Sequence, residues 1–348
     1  MKVAIIVAGW YGCHIASTLK EHCSKLVVFE KNKEIFTEAS GNNQFRLHQG
    51  LHYPRASKTR HESRDGFLRF TERYPNFSKE IKNNIYVVPK LESLMDFNTY
   101  FSIMWSSGLE IEKIPNNSVR LKVLNASIVE GAISCKERIV LTQKAKRFFE
   151  EKLVDNIELN QNIKKIQIIK NGVLINSEKY DYVVDCTWGA IHEMNEVLLN
   201  YYYEPTILLY YKKKERWDLP AITMMDGMFG SIYPTEKKDI YTLSSVKNTP
   251  CGKFETKKEA YKFLGKDKEK LVEVKRNLIE NEIIKYIPNF KKYFEYISPQ
   301  FSIKTKPKIN NDDRSVMLSR NGNYFNVMPG KIDNIFHASD WILGEMNR

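Results

Sequence analysis

The chain has 348 residues, a formal net charge of +12, and a hydrophobic fraction of 42% that includes 19 Tyr and 18 Phe. These figures exclude a disordered or fibrous chain and allow a large core with a smaller unit beside it. No apolar run is long enough to span a membrane, and the five cysteines (Cys13, Cys23, Cys135, Cys186 and Cys251) form no CxxC pair, so a cytoplasmic protein with reduced thiols and no metal is expected.

Met1-Lys2 runs directly into Val3-Ala4-Ile5-Ile6-Val7, a continuous β-branched run that reads as a buried strand and leaves no room for a cleaved leader. Ala8-Gly9-Trp10-Tyr11-Gly12 reads as a tight turn. Cys13 to His22 follows with Ile15, Ala16 and Leu19 at helical spacing, and Leu26 to Phe29 is a second strand ending at Glu30. This is a βαβ unit with a carboxylate at the tip of its second strand. A dinucleotide site needs those parts: glycines admit the pyrophosphate, the helix N-terminus attracts its charge, and the carboxylate accepts hydrogen bonds from a ribose. The fingerprint G-x-G-x-x-G is incomplete, because Val7 stands where the first glycine belongs while Gly9 and Gly12 fill the other two places. The turn is therefore expected to be re-shaped or to hold phosphates less well.

A polar connection, Glu38 to Asn43, leads into Gln44-Phe45-Arg46-Leu47-His48-Gln49-Gly50-Leu51-His52-Tyr53-Pro54-Arg55, a loop dense in hydrogen-bonding groups. Helices are expected over Arg64 to Tyr74 and Leu94 to Ser107, a strand over Ile85 to Val88, and one or two short strands in Val119 to Ile128. Glu130 to Ile133 precedes an amphipathic stretch, Lys136 to Leu153. Strands follow at Ile157 to Leu159 and Ile163 to Ile169. Asn171-Gly172 marks a hairpin, and Tyr180 to Thr187 is a further buried strand ending at Trp188-Gly189-Ala190. Thr206 to Tyr211, Ala221 to Met224, Gly230 to Tyr233 and Tyr241 to Val246 read as an antiparallel sheet. Lys257 to Leu264 and Asp267 to Tyr286 read as helices. After Asp313-Arg314 come strands at Tyr324 to Val327 and Asn334 to Ala338, and a closing helix from Ser339, its N-cap. Lysines cluster at 212–214 and between Lys253 and Lys275, but they alternate with Glu and no nucleic-acid module accompanies them. A solvated basic surface, a small-molecule substrate and no nucleic-acid partner are expected.

Taken together, the glycine turn with Glu30, the segment Leu47 to Tyr53, Glu130-Gly131-Ala132-Ile133, the strand and turn Tyr182 to Gly189, and the last forty residues resemble the D-amino-acid oxidase, glycine oxidase and L-2-hydroxyglutarate dehydrogenase superfamily. The closing segment departs from that pattern, with His337-Ala338-Ser339-Asp340 in place of a run of glycines. The resemblance implies an α/β protein. A discontinuous Rossmann-like FAD-binding domain (1–75, 126–200 and 305–348) would join a substrate domain of antiparallel β-sheet plus helices (76–125 and 201–304).

The resemblance also implies roles for particular residues. Ala8, Gly9, Trp10, Tyr11 and Gly12 would meet the FAD pyrophosphate, with Glu30 and Lys31 at the ribose and Ser40, Asn42 and Asn43 along the pyrophosphate and ribityl chain. Leu47, His48, Gln49 and Gly50 would pass beside the flavin ring. Ile163 (or Lys164), Thr187 and Gly189 would meet the adenine half, and Gly330, Lys331, Ile332 and the helix at Ser339 the flavin pyrimidine. His48 would carry the flavin covalently or act beside it, or else only pack the loop. His52, Tyr53 and Arg55 would bind a substrate carboxylate or phosphate and take a proton, and Arg314 is a second anchor for the substrate. Three readings follow. One is an FAD-dependent oxidoreductase moving hydride from a C–H beside an amine or hydroxyl to flavin. The others are a non-redox flavoenzyme of the sugar-nucleotide mutase kind and a non-catalytic protein that keeps the fold.

Overall fold

Lys2–Ile6 lies inside a six-stranded sheet, paired in parallel with Lys25–Phe29 on one side and Tyr182–Asp185 on the other. The structure is a computed structural model that describes residues 1–189, 201–214, 221–308 and 314–348; Ala190 and Asp313 lie outside the described residues. Ile157–Glu158 continues the sheet beyond Lys25–Phe29, and Tyr324–Met328 continues it beyond Tyr182–Asp185, both in parallel; Met317–Asn321 closes that edge antiparallel. Its continuous apolar strands are explained by burial on both faces. Val3 and Ile5 pack with the helices Trp10–Leu19 and Ile335–Met346, while Ala4 and Ile6 pack against Val173, Ile175 and Tyr180 of a three-stranded antiparallel sheet, residues 166–180.

An eight-stranded sheet runs in the order Phe294–Pro307, Tyr201–Lys213, Ile240–Ser245, Gly230–Pro234, Ile222–Met224, Ile85–Pro89, Val129–Cys135, Ile111–Ile114. It is antiparallel except where Ile222–Met224 meets Ile85–Pro89. Its two faces differ. Ile207, Leu209 and Tyr211 turn into a core with Ile279 and Ile283 of the helix Lys268–Tyr286. The other face carries Tyr86, Thr223, Ser231 and Ser244 in one cross-strand row, directly opposed in register. A small sheet of Arg46–Leu47, Arg138–Val140 and Ser78–Glu80 ties the polar loop down beside it.

Several elements differ from the sequence reading. Glu130 to Ile133 does not enter a helix but lies within the strand Val129–Cys135, paired with Ile85–Pro89, and the helix begins only at Thr142–Lys152. Val119 to Ile128 holds a 3₁₀ turn, Val119–Leu121, and no strand. The closing helix is Ile335–Met346, with Asn334 at its N-cap. Ser339 is therefore inside the helix, its hydroxyl donating to the Phe336 carbonyl at 3.0 Å, and it caps nothing. Among the described residues no helix is long and apolar enough to cross a membrane.

Candidate active site

The glycine turn is built around Val7. Its φ is +80°, in the left-handed region that favours glycine, and its N–H donates to the Phe29 carbonyl at 2.7 Å. A Cβ on Gly12 would sit 1.9 Å from the Val7 carbonyl oxygen, and one on Gly9 would sit 2.8 Å from Ser40 Oγ. Ser40 Oγ also accepts from the Trp10 N–H at 2.9 Å. Val7 thus takes the glycine conformation without being glycine, and the turn keeps its tight course.

Glu30 is buried. Its Oε2 accepts from the Ala8 N–H at 2.9 Å, and its Oε1 from the backbone and side chain of Asn32. Lys31 pairs with Glu38 at 2.6 Å. Asn42 donates to the carbonyls of Thr37 and Glu38, and Asn43 to those of Ala39 and Ser40. The polar connection is therefore held in shape by its own side chains.

These groups open onto one chamber of about 650 Å³. Gly9, Trp10, Tyr11, Gly12, Glu30, Lys31, Ser40, Asn42, Asn43, Ile163 and Thr187 line it, as do His48, His52, Tyr53, Gly330, Lys331 and Ile332. Other expected residues stand off it. Ala8 and Leu47 are fully buried. Gln49 donates to the Lys136 carbonyl at 2.9 Å, and Gly50, at φ +99°, lies against Arg60. The Gly189 carbonyl accepts from the Tyr203 hydroxyl at 3.3 Å. Arg55 is ion-paired with buried Asp226, and the Arg314 carbonyl fills the space a side chain on Gly330 would need.

The His48 and His52 rings lie 4.7 Å apart, centre to centre, with Tyr53 beside both. Burial holds His48 well below the ordinary imidazole range, helped by His52, Lys331 and Arg46; burial does the same to His52, helped by Arg46 and Lys331. Lys331 reaches Asp333 at 3.1 Å and lies over the Tyr53 ring. The polar side of the eight-stranded sheet also borders the chamber, through Thr206, Gln300, Ser302 and Lys304. Burial and neighbouring Lys306 bring Lys304 down to about 8, against the opposing pull of Glu204. Arg46, Gln300 and Lys304 were not singled out by sequence reasoning. Arg46 carried one usable signal: a charge between Phe45 and Leu47 in a short extended stretch.

The sequence is 45% identical over 342 residues to the FAD-dependent monooxygenase FPY4 of Fusarium mangiferae, covering 98% of this chain and 90% of that one. The chain belongs to the FAD-dependent oxidoreductases. This oxidoreductase is also 25% identical over 378 residues to the FAD-dependent monooxygenase kojA of Aspergillus flavus, across 100% of this chain and 86% of the relative. No protein-family model matches it. Its fold is that of L-alpha-glycerophosphate oxidase from Mycoplasma pneumoniae, solved with FAD bound (TM-score 0.79, 13% identity, 100% of this chain and 94% of that one). It is likewise that of glycine oxidase from Geobacillus kaustophilus (TM-score 0.71, 12% identity, 99% and 93%). The cofactor is FAD, and the chamber fits it. Side-chain-free Gly9 and Gly12, the N-terminus of the helix Trp10–Leu19 and a carboxylate at the strand tip are the groups with which a dinucleotide is held.

Proposed function

We propose that this oxidoreductase oxidises a C–H bond next to an amine or hydroxyl of a small, polar, anionic substrate held in the chamber. The observation that carries this reading is one chamber lined both by two histidines that burial keeps neutral and by Gln300, Ser302 and the cation Lys304. Bound FAD supplies the two-electron acceptor. The chain itself would hold the substrate's anionic group by Lys304, orient it by Gln300 and Ser302, and take its amine or hydroxyl proton on an imidazole that burial keeps uncharged. Neither a non-redox flavin reaction nor a non-catalytic scaffold finds support among the relatives.

The monooxygenase names of two relatives favour a second reading, in which the same chamber directs an oxygen atom from O₂ to the substrate. Anaerobic mixing of the FAD-loaded protein with a panel of amino and hydroxy acids separates the two. Loss of the visible flavin bands on substrate alone is the expected result. Bands that fall only with an external reductant, followed by incorporation of labelled oxygen into product, would establish the second reading. No loss with any substrate or reductant overturns both.

A further inference from the structure

Behind His52 stands a buried group of side chains that the flavin turn does not use. Arg46 Nη2 shares its two hydrogens among three acceptors, the Tyr86 hydroxyl (3.1 Å), Glu137 Oε2 (3.1 Å) and Thr223 Oγ1 (2.9 Å). Glu137 is 0% exposed; it accepts on Oε1 from the Tyr86 hydroxyl and on Oε2 from Tyr233 at 3.1 Å. The Tyr86 oxygen lies 3.1 Å from His52 Nδ1. The cluster joins strands from both halves of the eight-stranded sheet to the loop that carries both histidines.

The hydrogen count in this network fixes the tautomers. A phenol has one hydrogen, and a carboxylate beside a guanidinium has none to give, so Tyr86 donates to Glu137. The phenol oxygen then has no hydrogen left for His52 and can only accept from it. His52 therefore carries its hydrogen on Nδ1 and leaves Nε2 bare. His48 is the reverse: the Gly50 N–H donates to its Nδ1 at 3.1 Å, so its hydrogen sits on Nε2. Both rings line the chamber, and neither Nε2 has a hydrogen-bond partner among the described residues. The site presents one imidazole acceptor and one imidazole donor side by side.

We propose that Tyr86 and Glu137 are positioning residues that lock His52 as the Nδ1–H tautomer, making its Nε2 the proton acceptor of the reaction, with the His48 N–H as the donor that orients the substrate. This rests on the oxidation reading above. In the step, the substrate N–H or O–H bond breaks, its proton forms a bond to His52 Nε2, and its electron pair stays on the substrate heteroatom. The imidazolium so formed keeps its Nδ1–H bond to Tyr86. The groups that face it are Arg46 and Lys331, which oppose the charge, the neutral His48, Tyr53 and Tyr86, and Glu137 one hydrogen bond further back, which favours it.

The test is nitrogen-15 NMR of histidine-labelled, FAD-loaded protein without substrate, with His48→Gln and His52→Gln assigning the signals. The expected spectrum shows His52 protonated on Nδ1 and bare on Nε2, and His48 the opposite. Tyr86→Phe removes the acceptor and is expected to move the His52 hydrogen to Nε2. A wild-type His52 with its hydrogen on Nε2, or no movement in Tyr86→Phe, overturns the proposal; if the Phe variant does not fold, the wild-type spectrum alone decides. With a turned-over substrate, Tyr86→Phe is expected to lower kcat about 100-fold with KM little changed, and an unchanged kcat overturns the assignment. The spectrum needs no turnover, so it fails separately from the reaction proposed above.

Discussion

The Val7 carbonyl oxygen occupies the space that a side chain on residue 12 would need, 1.9 Å from an ideal Cβ on Gly12. Two backbone segments, the end of the first strand and the first turn of the first helix, therefore meet only because residue 12 is glycine. Gly12→Ala is expected to abolish FAD binding, since the backbone has no flexible side chain to move aside. Flavin absorbance of the purified variant checks this, and full occupancy would show that the turn can open.

Val7 itself holds a φ of +80°, which costs a β-branched residue about 1–3 kcal/mol. Val7→Gly relieves that cost while losing some packing and stiffening of the chain. The net change is expected to stay within about 1 kcal/mol. Val28→Gly in the buried neighbouring strand has no strain to relieve and is expected to lose roughly 3 kcal/mol. Denaturant melts of the two variants give the comparison.

Arg46 and Glu137 form a buried ion pair, with 5% and 0% side-chain exposure. Arg46→Leu strands Glu137 without its cation and is expected to cost about 3–5 kcal/mol. The double variant Arg46→Leu/Glu137→Leu is expected to recover part of that loss. Chemical denaturation of both measures the recovery, and a double variant as unstable as the sum of the singles would deny the coupling.

His14 sits in the core between the Tyr74 hydroxyl (2.7 Å) and Ser339 Oγ (3.1 Å). Burial, with Arg73 and Arg69 nearby, pushes it from its ordinary 6.5 down to about 3. Between those values the unfolded chain binds a proton that the native chain does not. Stability therefore falls as pH drops from about 6.5 toward 3, by at most about 1.4 kcal/mol per pH unit from this group. In His14→Gln the melting temperature should fall less steeply from pH 7 to pH 4.

Lys304, brought down to about 8, is charged at neutral pH and loses its charge above that value. A small competitive carboxylate should bind about tenfold more weakly at pH 9 than at pH 7. Lys304→Met should bind it weakly at both. Titration followed by the flavin spectrum reads this directly, and an undiminished pH dependence in the variant would assign the effect to another group.

The βαβ start and the helix Lys257–Leu264 were legible because local periodicity and caps specify them, and the hairpin expected at Asn171-Gly172 was legible to within one residue, its turn falling at Lys170-Asn171 with Gly172 already paired to Ile169. The strand Phe294–Pro307 was missed although Gln300, Ser302 and Lys304 alternate with Phe301 and Ile303 as a half-buried strand does; Pro299 and Pro307 interrupt the run and mask it. Asn334-Ile335-Phe336 reads as extended from its apolar residues, yet Asn334 turns the chain and helix begins behind it. His48, His52 and Tyr53 could be found because one loop carries them. Arg46 and Glu137 lie 91 positions apart, and nothing local links them before the small sheet forms.

The polar wall of the chamber belongs to strands whose opposite face is core, so the two functions sit on alternate residues of the same chain. Along Tyr201–Lys213, Thr206 and Leu208 look into the chamber while Ile207 and Leu209 hold the helix behind it. The lining of the chamber and the packing of the core are thus written in interleaved registers. Substitutions at the chamber positions can retune its chemistry while the core positions between them stay fixed.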